Sequence, residues 1–308
     1  MRNIQTQEKT MAYLKTTVQT TLKTLTVKIR LYWQMTKSLQ TGLLLSTGLA
    51  GYMSARCPVQ TWQTLLALAG SLFLAISGST VINMVYDRDI DARMPRTQNR
   101  PLPKGQVSVV ESLTLGGVLS AIGIGWAAFL SPLYGLVVFA GFFFDVAVYT
   151  IWLKRRTPWS IIWGGIAGGM PALAGRVLGL GTIDWIGLAL ALAVLLWIPT
   201  HIMTFSLRYR EDYAKAGVPT FPSAYGERIT SIIIALSSIA TAIAMAIAAY
   251  GIGITWGYMR LLIVLSCGLL ALAVSSILRP SFKMNFGLFK FASLYMLSSM
   301  LLVVLGVL

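Results

Sequence analysis

Nine apolar runs, each close to the ~20 residues a helix needs to cross a bilayer, take up most of this chain. They fall at roughly 39–55, 62–85, 112–131, 133–152, 160–180, 184–206, 229–251, 258–278 and 289–307. This leaves few folds open. In hydrocarbon every backbone amide must find its partner within the protein, so only helices and closed barrels span. The runs are continuous and Gly/Leu-rich, without the alternation of a barrel strand. They predict an all-α, polytopic membrane protein. Composition agrees: 11% of residues are charged, against about a quarter in soluble chains. The expected division is a basic N-terminal segment, 1–36, followed by one membrane domain, 37–308. Residues 1–36 lack the long apolar run and small-residue cleavage site of a signal peptide, while a basic transit peptide stays open.

The net charge is +15. In a soluble protein this would suggest a nucleic-acid partner. Here the basic residues sit in connections between apolar runs, so the expected partners are the lipid bilayer and anionic ligands, with no nucleic acid. If the N-terminus defines one side, that side holds 22 of the 25 Lys and Arg residues. Only Arg56, Arg176 and Arg260 fall on the other. This asymmetry predicts a multi-pass protein of the cell membrane, N-terminus cytoplasmic, with nine spans and the C-terminus outside. Cys57 and Cys267 fit no metal or redox spacing and read as inert.

Seven of the ten acidic residues share two connections on the basic side. In the first, Asn83, Asp87 and Asp91 are spaced four and four. Each step of four advances only ~40° around a helix, so the three side chains form one stripe at the end of the second span. Hard oxygen ligands of this kind suit Mg²⁺ shared with substrate phosphates. Arg96 and Arg100 follow, and guanidinium groups grip phosphate oxygens in pairs. The alternative is a solvated helix end, which the triple spacing makes less economical. The second connection carries Arg208, Arg210, Glu211, Asp212 and Lys215 before a Gly217–Pro219 turn. Alone it could be an ordinary loop; on the same side as the first, it could close over the same ligand. A third, Tyr149 to Trp159, holds Lys154, Arg155 and Arg156. The charge rule alone explains these, although Lys154, nearest the span, could contact phosphate. Asp145 lies at membrane depth and reads equally as cavity lining or as a fixed ion pair. His201 is the sole histidine, more often a satisfied polar group than a ligand. Trp126, Trp163 and Trp197 read as lipid-facing or packing residues.

At these residues the chain resembles the UbiA superfamily of intramembrane prenyltransferases, and within it the heme-directed branch. The resemblance is carried by Asn83, Asp87 and Asp91 continued by Met94, Arg96, Thr97, Arg100, Pro101 and Leu102. Tyr149-Thr150 through Pro158, and then Pro199, His201, Glu211-Asp212-Tyr213 and Ala216 to Pro219, extend it. It implies nine helices around a central cavity and Mg²⁺-dependent prenyl transfer. Asn83, Asp87, Asp91 and Asp212 would hold the metal. Lys37, Arg96, Arg100, Lys154 and Arg208 would neutralise a farnesyl or other prenyl diphosphate, with Tyr149 and His201 lining the site. Heme b, or another hydrophobic acceptor, would take the prenyl group. Arg208 and His201 stand where the superfamily's second motif has aspartates, which favours heme over a quinone precursor. Lys37-Ser38-Leu39, Thr200, Thr220-Phe221 and Arg176 depart from the branch's usual residues and bear on the acceptor more than on the reaction. A secondary transporter is the rival of a different class; it should gather its polar groups near the midplane.

Overall fold

The computed structural model describes residues 25–56, 61–279 and 281–308, so the readings of residues 1–24 and of Cys57 lie outside the described residues. Among the described residues all regular structure is helical. A short helix α1 (25–35) leads into α2 (Ser38–Ser54) and α3 (Trp62–Tyr86). Then come α4 (Arg88–Arg93), α5 (Val109–Leu130) and α6 (Pro132–Phe143), the last continuing as a π-helical segment, Phe144–Leu153. The remainder is α7 (Ser160–Leu180), α8 (Trp185–Arg208), α9 (Arg210–Lys215), α10 (Phe221–Ile252), α11 (Trp256–Leu278) and α12 (Phe282–Leu305).

Among the described residues eight helices are long and apolar enough to cross a membrane, with α6 and the π-segment counting as one. The first expected span, α2, is a helix of only 17 residues. At ~1.5 Å per residue it reaches roughly 26 Å, short of the ~30 Å hydrocarbon core. The expected nine spans are therefore eight full-length helices and one short one. Three further differences appear. Residues 25–35, read as part of a basic tail, form a helix whose Leu31, Tyr32 and Met35 pack with Val81, Met84 and Leu102. The seventh run begins at Phe221, eight residues early, because Gly226 (φ 81°) turns the backbone and lets two helical pieces join. The fourth run changes from α to π winding halfway.

Small residues let the helices that frame the site approach closely, as lipid-embedded helices require. Along α2 and α7, a Cβ on Gly175 would lie 1.9 Å from the Gly48 carbonyl oxygen, and one on Gly51 would lie 2.0 Å from that of Ala172. Gly78 of α3 meets Ser120 and Gly116 of α5 in the same way. Hydroxyl and carboxylate caps start the spans: Ser108 accepts from Glu111 N, and Asp184 from Gly187 N. Pro199 interrupts the α8 ladder one residue before Thr200, which shares a 3.0 Å hydrogen bond with Ser238 of α10. Distant from the motif connections, Arg176 is clamped. Its Nε and Nη2 each donate to Asp184 at 2.7 Å, and Nη1 donates to the Ser54 carbonyl at 2.7 Å. Arg176 is thus a buried tie between α2, α7 and α8.

Candidate active site

The stripe survives folding. Asp87 N donates to the Asn83 carbonyl at 2.9 Å and Asp91 N to that of Asp87 at 2.7 Å, so helical bonding crosses the junction of α3 and α4. Asp87 and Asp91 are only 8% and 5% exposed, which for carboxylates demands partners. Each has a cation. Lys154, at the end of the π-segment, pairs with Asp87 Oδ2, and Arg100 donates to Asp91 Oδ2 at 2.7 Å. Thr97 Oγ1 donates to the Asp91 carbonyl at 2.9 Å and fixes the turn that brings Arg100 back. Outside this pair of bridges, Arg155 binds Asp89 at 2.5 Å and the Tyr86 carbonyl, tying the stripe to the π-segment. The Arg155 guanidinium holds the Asp89 carboxyl below the usual range.

The charged groups face a cavity of about 910 Å³. Lys37, Asp87, Asp91, Arg96, Arg100, Tyr149, Lys154 and His201 all line it. Its walls toward α2 and α12 include Leu39, Leu294 and Leu297, which are also exposed on the outer surface. Lys37, Gln40, Leu43, Tyr149, Ile161, His201 and Ile202 also line a second, narrower chamber of about 210 Å³. Apolar residues dominate the rest of it, with Ser79, Thr80, Asn83 and Asp145 as its further polar members. A polar head chamber thus opens onto an apolar pocket, and Lys37, Tyr149 and His201 stand where the two meet. Lys37 has left-handed backbone (φ 46°) and keeps some surface toward the cavity. Burial, with the charges of Arg100 and Lys154, lowers its ammonium to about 8 against the opposing pull of Asp87 and Asp91.

His201 is immobilised rather than charged into a pair. Trp197 and Phe289 stack on its ring at 4.7 and 4.5 Å, and its Nδ1 lies 3.1 Å from Ser293 Oγ. Trp197, expected to pack or face lipid, is 4% exposed and donates Nε1 to the Ala292 carbonyl at 2.7 Å, while also lining the narrow chamber. Arg96 lies 4.8 Å from the Phe205 ring, and Arg208 lies 3.8 Å from that of Phe286. Arg208 packs behind this aromatic wall and is not a lining residue of either chamber.

Two members of the expected metal set look different in place. Asn83 spends both ends of its amide inside the protein: Nδ2 donates to Asp145 Oδ2 at 2.9 Å, and Oδ1 accepts from Thr150 Oγ1 at 2.7 Å. Asp212, half-buried on α9, lines neither chamber, although its neighbour Tyr213 does. Among the described residues no three His, Cys, Asp or Glu side chains converge as a metal cage. Gln40, which lines both chambers, escaped the sequence reading, because a polar residue on a long apolar helix carries no sign of which face meets a cavity; Thr150 and Tyr213 stood in the motifs without a site role.

Fold and site together define an intramembrane enzyme with a charged head site set over an apolar pocket. The family model of the UbiA prenyltransferase family matches residues 44–302. The protoheme IX farnesyltransferase of Korarchaeum cryptofilum is 44% identical over 205 residues, covering 67% of this chain and 69% of that protein. That of Archaeoglobus fulgidus is 48% identical over 200 residues, 65% of this chain and 70% of the relative. A digeranylgeranylglyceryl phosphate synthase structure superposes with a TM-score of 0.75 at 19% identity, covering 91% of this chain and 98% of the other. A UbiA homolog from Archaeoglobus fulgidus bound to GPP and Mg²⁺ gives 0.64 at 18%, covering 89% and 99%. The chain belongs to the UbiA prenyltransferase family.

Proposed function

We propose that this protein transfers a farnesyl group from an isoprenoid diphosphate to heme b, giving heme O and diphosphate. The observation that carries it is the pairing of Asp87 with Lys154 and Asp91 with Arg100 on the wall of one cavity that narrows into an apolar pocket. Such a site suits a ligand with a highly charged head and an apolar tail. Names of relatives at 44–48% identity supply the acceptor.

The residues present fit Mg²⁺. Asp87 Oδ1 is buried with no hydrogen-bond partner, a vacant hard-oxygen acceptor beside the cavity. Mg²⁺ keeps waters and takes only one or two protein carboxylates when a diphosphate supplies further oxygens, so the lack of a three-carboxylate cage is no obstacle. Asp87 and Asp91 would hold it, with Asn83 one turn before them on the same stripe. When bound, the ion neutralises charge on the diphosphate.

The protein's own part is electrostatic. The allylic C–O bond breaks with its electron pair leaving on the diphosphate, so negative charge grows there. Lys37, Arg96, Arg100 and Lys154 are fixed around that point and favour the transition state over the bound substrate. The apolar pocket shelters the cation from water. A vinyl group of heme b forms the new C–C bond, and one water adds to the carbon left positive, releasing its proton to the diphosphate. Tyr149 and His201, at the meeting of the chambers, face the acceptor. Residues 37–308 carry this activity. The basic excess on the motif side supports placing that side, and the N-terminus, in the cytoplasm.

Purified protein in lipid nanodiscs, given farnesyl diphosphate, Mg²⁺ and heme b, should yield heme O and diphosphate in equal amounts. Diphosphate formed only with an aromatic quinone precursor would replace the acceptor. No binding of the diphosphate would end the transferase reading and favour transport.

A further inference from the structure

The narrow chamber has a depth that can be read along α3. Its lining residues on that helix run from Asn83 at the mouth to Leu72 at the far end, eleven residues, or about 16 Å along the helix axis. Val138 of α6 and Ala174 of α7 are the matching end residues, and all three belong to one buried apolar cluster. Behind them the cluster is solid. Leu68 and Tyr134 are fully buried, Tyr134 shares a 2.8 Å hydrogen bond with Ser71, and none of these three lines the chamber. Leu72 reaches across the end: a Cβ on Gly48 of α2 would lie 2.4 Å from Leu72 Cδ1, at the place where α2 and α7 touch backbone to backbone. The chamber therefore ends in a floor, and Leu72 is its cross-piece.

Isoprenoid chains grow in fixed steps. With a C–C bond of about 1.5 Å, the four bonds of one extended isoprene unit span about 5 Å. Two units then span about 10 Å, three about 15 Å and four about 20 Å. With the diphosphate held at Asp87 and Asp91, the chain enters the chamber beside Asn83, one turn further along α3. Three units fit between Asn83 and Leu72, and a fourth meets the floor. Ala75 also lines the chamber, eight residues or about 12 Å from Asn83, at the level of the third unit. Its methyl group is the smallest side chain that keeps a wall there, and it leaves that unit room.

We propose that Leu72, with Ala75 one turn above it, limits the prenyl chain this protein accepts to three isoprene units. The proposal rests on the reading of Asp87 and Asp91 as the diphosphate site and of the narrow chamber as the seat of the tail. It deepens that reading by dividing the labour. The charged head site recognises any prenyl diphosphate, and the depth of the chamber selects among them.

The test is calorimetric binding of geranyl, farnesyl and geranylgeranyl thiolodiphosphates with Mg²⁺ to the full chain in nanodiscs. Sulfur in place of the bridging oxygen keeps the bond from ionising, so the identity of the acceptor does not enter. Burying five further carbons is worth well over a tenfold change in affinity. Ala75→Leu fills the space of the third unit and should lower the farnesyl-to-geranyl affinity ratio at least about tenfold. Leu72→Ala opens the floor and should raise the geranylgeranyl-to-farnesyl ratio at least about tenfold. Each ratio is compared with the wild type's in the same nanodiscs, so partition of the ligand into lipid and a loss of active protein both cancel. Should one variant fail to fold, the other still decides. Ratios within twofold of the wild type's, or a shift in the opposite direction, place the tail elsewhere and overturn the proposal. If the wild type binds none of the three, the parent reading of the site fails first and takes the proposal with it.

Discussion

Lys37 makes the site sensitive to pH in a calculable way. Its ammonium is held at about 8 by burial and by the cationic Arg100 and Lys154, against the opposing pull of Asp87 and Asp91. At that value about nine-tenths of the free enzyme carries the charge at pH 7 and about one-tenth at pH 9. If the charged form binds the diphosphate, kcat/KM for farnesyl diphosphate should fall roughly tenfold between those pH values, with the midpoint near 8. The sign is that of a cation lost: full binding below the midpoint, loss above it. Protein stability should move the other way. An amine whose folded value lies below its unfolded one makes the native state gain stability as pH rises from about 8 toward 10.5. A melting curve that does not worsen at pH 9 therefore separates lost binding from unfolding. Lys37→Arg, charged throughout, should flatten the profile. The assay is initial rate at saturating Mg²⁺ and acceptor in nanodiscs, with the diphosphate varied. A flat wild-type profile from pH 7 to 9, or a limb that persists in Lys37→Arg, would refute this account of Lys37.

Three further outcomes follow from the geometry. Asp87→Asn removes the vacant acceptor atom and the partner of Lys154, and should cut kcat/KM at least about a hundredfold while the protein still elutes as a folded particle; near wild-type turnover would contradict the site. Asp184→Asn strands the buried Arg176 guanidinium and should cost about 3–5 kcal/mol, read as a lower melting temperature. Turnover below that temperature should be unchanged, since the clamp lies away from the motif connections. Gly175→Ala would press a methyl group into the Gly48 backbone and should destabilise by at least ~1–3 kcal/mol through the α2–α7 contact, whereas Gly117→Ala, which meets open space, should be neutral in the same melt.

The three carboxylate-stripe residues were legible because one rule, four residues per near-turn, holds wherever the chain is helical. The helical bonds from Asn83 to Asp91 kept that rule across the break between α3 and α4. Of the two readings of Asp145, the structure shows cavity lining: it lines the narrow chamber, and its carboxyl accepts from Asn83 Nδ2. Helix α1 was missed because a helix held by a few contacts from Leu31, Tyr32 and Met35 leaves only a short apolar signal among Thr and Lys.

What the sequence alone determined is what depends on near neighbours and on the solvent. Apolar runs of membrane length must be helices, the basic excess must collect on one side, and a stripe spaced by four must share a face. Only the tertiary structure decided which charges meet. Lys154 reaches Asp87 across 67 residues, Arg176 is clamped by Asp184 rather than lining the acceptor pocket, and Asp212 stays off the cavity wall. The physical reason is that apolar helices carry almost no sequence record of rotation about their own axes. Close glycine contacts and one stretch of π winding set that rotation, and with it which polar side chains face the cavity.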